Sequence, residues 1–162
     1  MNLHLTKRVV AVSLLTSVAG FVGQACNSST AHAQTNPDPL IGAWSSQVTI
    51  TDCHGTTMRQ FQSMTLAHDG GTLTDTDSQP PTSHGPAFGT WTSQGAGMYA
   101  TVFQLYRFNT DGTLAGTNRV QRTIALDAAS DTFTSTFTVA VNDPTGANLS
   151  NACGTETAVR LN

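Results

Sequence analysis

Three side chains that alternation along extended segments would turn to one interior could do chemistry together: Glu156, the sole glutamate of the chain, Arg122 and Tyr99. A carboxylate turned into an apolar interior is costly unless a cation pairs with it or its pKa rises. Glu156 is therefore expected to pair with Arg122 or to titrate high. Held this way, Glu156 with Arg122 and Tyr99 could steer charge in a substrate held against them. The same two groups could equally form a bridge that plugs the interior. His54, directly after Cys53, and His84, between Pro80 and Pro86, fall in two connections at one end of the fold. They could share a metal or act as acid and base, or be solvated loop side chains. No carboxylate pattern accompanies them, so no metal is expected. Gly-x-Ser-x-Gly, a phosphate loop and Cys-x-x-Cys are absent, no glycosidase-like pair of carboxylates is apparent, and no cofactor is expected.

The elements that must position these groups read as all-β. After residue 40 the chain is rich in Thr, Val and Phe and shows turn signals about every ten residues. Eight strands are predicted, at about 42–53, 58–67, 71–76, 87–93, 97–108, 113–126, 131–142 and 152–161. Breaks such as Asp69-Gly70-Gly71 and Asn109-Thr110-Asp111-Gly112 supply the residues that tight hairpins need.

The N-terminal 33 residues have the pattern of an export signal. Lys7 and Arg8 precede an apolar run from Val9 to Gly23, too short to cross a membrane comfortably, and Ala31-His32-Ala33 offers a cleavage site. Lipidation at Cys26 is the alternative. Cleavage after Ala33 would leave a short lead-in, 34–40, and one domain, 41–162. It would also remove Lys7 and Arg8, leaving five arginines against ten carboxylates and a formal charge of −5. That balance argues against nucleic acid and anionic membrane surfaces as partners. No membrane insertion is expected after cleavage, the protein is expected to be secreted or periplasmic, and nothing points to an oligomeric state. Cys53 and Cys153 would remain, an even number in an exported chain, and are expected to form a disulfide.

An even number of strands in a meander makes the last antiparallel to the first. A Cys53–Cys153 link then implies that these two strands pair and close the sheet into an eight-stranded up-and-down barrel. If the cysteines sit opposite each other, Trp44 lies beside the segment Arg160–Asn162. The even-numbered connections (69–71, 94–97, 127–130) are tight, whereas the odd ones include Asp77–Pro86 and Asn142–Asn151. The odd end is thus the expected mouth. Inward candidates follow from alternation. They are Trp44, Val48 and Ile50 in the first strand, Tyr99, Phe103 and Leu105 in the fifth, and Phe133, Phe137, Val139 and Val141 in the seventh. The sixth offers Leu114, Asn118, Val120, Arg122, Ile124 and Leu126, and the eighth Glu156 and Arg160. In the second strand Phe61 opposes Met58, Met64 and Leu66, and the sequence leaves open which side is inside. The lining of an internal site is expected to include Tyr99, Phe103, Asn118, Val120, Arg122, Phe137 and Glu156.

Gly42-Ala43-Trp44 opening the first strand, the eight-stranded meander and Arg160 closing the last strand resemble the calycin superfamily of lipocalins, fatty-acid-binding proteins and avidins. The chain is also similar to small exported bacterial proteins. The calycin resemblance implies that Trp44 packs at the closed end beneath Arg160, a favourable cation–π contact. It implies a carrier or sequestering protein for a small, largely apolar molecule. An isomerase or cyclase resembling allene oxide cyclases, acting through Glu156, Arg122 and Tyr99, and a ligand-free surface interaction module are the alternatives.

Overall fold

A computed structural model describes residues 37–162. The expected signal segment with its cleavage site, Cys26 and the start of the lead-in lie outside the described residues. Eight strands follow in order: β1 (Gly42–Thr51), β2 (Thr57–Ala67), β3 (Thr72–Asp77), β4 (Ala87–Gly95), β5 (Met98–Phe108), β6 (Leu114–Leu126), β7 (Thr132–Asn142) and β8 (Asn148–Arg160). Each pairs antiparallel with the next, and β8 pairs with β1 to close the barrel. Every interior strand edge is thereby used, which removes the exposed backbone groups that an open sheet would present.

The closing register sets Trp44 opposite Arg160 and Thr51 opposite Cys153. Cys53 lies two residues beyond β1 with a positive φ of 66°, and its sulfur is bonded to that of Cys153 with the Cα atoms 4.8 Å apart. The expected disulfide is present, but its cysteines are not ladder partners. The register differs by two residues from direct pairing, and an even shift leaves every side chain on its expected face.

Two expectations are corrected, and a question left open for the second strand is answered. Asn142–Asn151 is not a long loop: Asp143 accepts hydrogen bonds from the amides of Thr145 and Ala147 (2.8 and 2.9 Å), forming a tight turn, and β8 begins at Asn148. Loop 78–86 is therefore the one extended connection of the barrel. Leu114 faces outward at 43 % exposure, because an extra residue between Gly116 and Leu114 bulges β6 and flips the strand beyond it. Strand β2 resolves with Phe61, Ser63, Thr65 and Ala67 inward and Met58, Met64 and Leu66 outward.

The short-hairpin end is filled. Trp44 is completely buried, packs 5.0 Å from Phe133 and donates its indole N–H to the Leu40 carbonyl (2.9 Å). The Arg160 guanidinium lies 4.2 Å from the Trp44 ring centre and donates to the carbonyls of Ser130 (2.8 Å), Ile41 (2.9 Å) and Pro39. A Cβ at Gly42 would stand 2.6 Å from Arg160 Nη1, and φ there is +138°, so this position takes glycine. Trp91, which follows Gly89-Thr90 in β4 as Trp44 follows Gly42-Ala43 in β1, seals the same end by donating to the His68 carbonyl (3.1 Å).

Candidate functional site

Above this plug the barrel widens into a cavity of about 210 Å³ that opens at the odd-numbered end, beneath loop 78–86. Val48 and Ile50 from β1, Phe61 from β2, Val120 from β6 and Val139 from β7 give its walls apolar surface, and Arg59, Asp77, His84 and Arg107 add polar groups toward the mouth. Phe137 lays its ring over the neighbouring β8 because that strand has no side chain at Gly154, where a Cβ would lie 2.2 Å from the Phe137 ring.

The floor is polar. Arg122 and Glu156 are nearly inaccessible to solvent, and Arg122 Nη1 donates to Glu156 Oε2 at 2.8 Å. Ser135 donates to the same oxygen (2.8 Å), and Arg122 Nε donates to Thr101 (3.2 Å). The guanidinium also lies 5.2 Å from the Phe103 ring centre and 5.8 Å from that of Phe133. This accounts for only part of the hydrogen-bonding capacity. Arg122 Nη2, Glu156 Oε1 and Asn118 Oδ1, all on cavity-lining residues, are buried and have no hydrogen-bond partner in the protein. Such atoms cost a large part of their desolvation energy unless something else meets them.

Asp75 joins this floor from β3. Its carboxylate contacts the hydroxyls of Thr65 and Ser63, the latter at 2.9 Å. Burial pushes its pKa up to about 6; the nearby Arg122 charge pulls it down, while Glu156 adds to the upward push. The hydroxyl inventory fits a proton here. Ser63 Oγ also lies 3.0 Å from the Thr76 carbonyl, so a protonated Asp75 can donate to Ser63 while Ser63 donates onward.

At the rim, His84 Nε2 meets Asp77 Oδ1 at 2.8 Å and His84 Nδ1 meets Ser83 Oγ at 2.9 Å. Backbone bonds from Gly85 to Tyr106 (3.1 Å) and from Phe108 to Ser83 (2.9 Å) fix loop 78–86 against β5.

Six of the seven expected lining residues, Phe103, Asn118, Val120, Arg122, Phe137 and Glu156, therefore meet in one cavity. Tyr99 is the correction. It faces inward, but at the plugged end, where it packs edge-on to Trp91 (5.8 Å) and donates to Asp38 (2.8 Å). Burial and this hydrogen bond push its phenol up to about 12, and it lies outside the cavity lining. His54 and His84 do not come together as a site: His54 is exposed in the 52–56 turn, and His84 pairs with Asp77 instead. Among the described residues no group of three or more His, Cys, Asp or Glu is placed to hold a metal. Sequence reasoning missed Asp75 and Asp77. The available signal was parity with Leu73, whose inward face Asp75 and Asp77 share at two and four residues' distance.

No protein-family model matches the chain, and none of the curated proteins matches it.

Proposed function

We propose that this is an exported, calycin-like barrel that binds a small molecule in the cavity below loop 78–86. The observation that carries the reading is the incompletely bonded ion pair on the cavity floor. A plug would use up its polar atoms, as Arg160 does at the other end. Arg122 and Glu156 instead keep one polar atom each without a partner, beside an aromatic and aliphatic wall. A concave apolar site with a few converging polar groups is the ordinary form of a ligand pocket. The N-terminal signal pattern and the Cys53–Cys153 disulfide support export. The many polar groups of the floor favour a molecule with a distinct polar end over a purely apolar one.

Native mass spectrometry of the protein purified from its exporting host tests this. The expected result is a small-molecule adduct that disappears in Val120→Phe, a substitution that fills the cavity. A bare-chain mass for the wild type, with no small molecule recovered by solvent extraction, would sink the reading in favour of a surface interaction module.

A second reading, a barrel isomerase or cyclase, is favoured by Asp75. A carboxyl group that burial pushes up to about 6, beside Arg122 in the cavity lining, suits proton transfer around neutral pH. Turnover of the recovered compound that is lost in Asp75→Asn while binding persists would select it.

A further inference from the structure

We propose that the molecule taken by this cavity has an uncharged polar head with a hydrogen-bond donor and an acceptor side by side, as on the edge of a lactam or ureide, carried on a flat ring system of one or two rings. This rests on the ligand-binding reading and names the chemical class that the floor would recognise.

The donor and acceptor requirement comes from the unpartnered atoms. Arg122 Nη2 can only donate, and Glu156 Oε1 is a carboxylate oxygen that accepts. They belong to the two groups joined by the 2.8 Å bond, so a donor and an acceptor without partners stand in one buried polar cluster at the cavity floor. A carboxylate head would satisfy Arg122 but would face Glu156 and Asp75 with the arginine already shared. An ammonium head would satisfy Glu156 and leave Arg122 Nη2 buried and unpaired, beside a like charge. A neutral head that accepts from one and donates to the other meets both, and leaving either buried atom unmet is costly. The lining as a whole carries groups of both signs, Arg59, Arg107 and Arg122 with Asp75, Asp77 and Glu156.

Shape supplies the rest. A cavity of about 150 Å³ accepts benzene, and the present one, about 210 Å³, has room for somewhat more. Phe61, Phe103 and Phe137 offer aromatic surface to a flat ring.

Four probes on similar two-ring frames test this by calorimetry on the purified protein: 2-quinolone, naphthalene, 2-naphthoate and 2-naphthylmethylamine. 2-Quinolone is expected to bind at least tenfold more tightly than each of the others. In the double variant Arg122→Met/Glu156→Leu, which replaces both charges together, the preference for 2-quinolone over naphthalene is expected to fall below threefold while naphthalene binding persists. Binding of the naphthoate or the amine as tightly as 2-quinolone would overturn the head-group inference and leave the cavity reading standing. Absence of binding by all four probes to the folded wild type would remove the cavity reading and this inference together.

Discussion

Two arginines stand at different depths of this barrel, one at its plugged end and one on the cavity floor above the plug. Arg160 lies over Trp44 and donates to the carbonyls of Pro39, Ile41 and Ser130, which are neutral acceptors near the rim. Arg122 lies between Phe103 and Phe133, is bonded to a buried carboxylate and retains an unmet donor. Both cations cover aromatic faces, but only in the first does every guanidinium nitrogen have a partner. A guanidinium with its hydrogen bonds made is a lid, whereas one with a donor to spare beside an open space is a recognition element.

The largest effect should come from the open end's covalent tie. Replacing both Cys53 and Cys153 with serine removes a link across 100 residues and should cost roughly 4–5 kcal/mol by the chain-entropy relation, read as a drop in urea midpoint. A loss below about 1 kcal/mol would mean that strand pairing alone holds the mouth.

Glu156→Ala should follow at about 3–5 kcal/mol, because it strands Arg122 as a buried unpaired charge. Replacing both partners by apolar residues should restore most of that, since a buried pair and a packed apolar pair are often of similar stability.

The third effect depends on pH. Asp75 titrates near 6 in the folded state and near the ordinary carboxylate value when unfolded, so the folded protein holds this proton more tightly. Its contribution is fully present below about 4 and is lost as pH rises through about 6. The amplitude should be roughly 2 kcal/mol, reduced for a carboxylate that keeps some exposure. Asp75→Asn should flatten this limb in thermal unfolding between pH 4 and 7.5. The exposed turn residues Asp52, Asp111, Asp127 and Asp143 act in the opposite direction. Hydrogen bonds from turn amides and hydroxyls hold them below the usual carboxylate range, so their contribution is lost only as the solution becomes more acid.

Arg160→Ala should be the mildest change, about 1–2 kcal/mol, because the carbonyls it serves lie where water can replace it. A cost equal to that of Glu156→Ala would erase the distinction between the two ends.

The meander, its closure and the facing of Arg122 and Glu156 were legible because period-two alternation is strong in the strands that carry them. Val120, Arg122 and Ile124 repeat without interruption in β6, as do Phe133, Ser135 and Phe137 in β7. Alternation fixes a face but not a height along the barrel axis, so Tyr99 was assigned to the right interior at the wrong level. Strand β3 contributes one apolar residue, Leu73, among threonines and aspartates, and a pattern with a single apolar point has no visible period. The start of β8, Asn148-Leu149-Ser150-Asn151, is polar on an exposed edge of the turn and reads as loop until its pairing with β7 is seen. The bulge near Gly116 depends on the strand opposite and carries no local signature that separates it from an ordinary strand glycine.

The β1–β8 seam differs from the other seven ladders in the distance along the chain that it spans. Those seven join neighbours in sequence and can zip as hairpins, while the seam brings together segments more than 100 residues apart, from Thr51 with Cys153 to Trp44 with Arg160. Its loop-closure entropy must be met in one step before any of its hydrogen bonds can repay it. Ring closure is accordingly expected to be the slow event in reaching the native state, and pulse-labelling during refolding should show the seam amides of β1 and β8 gaining protection last. Oxidising the cysteines beforehand shortens that search and speeds the closure.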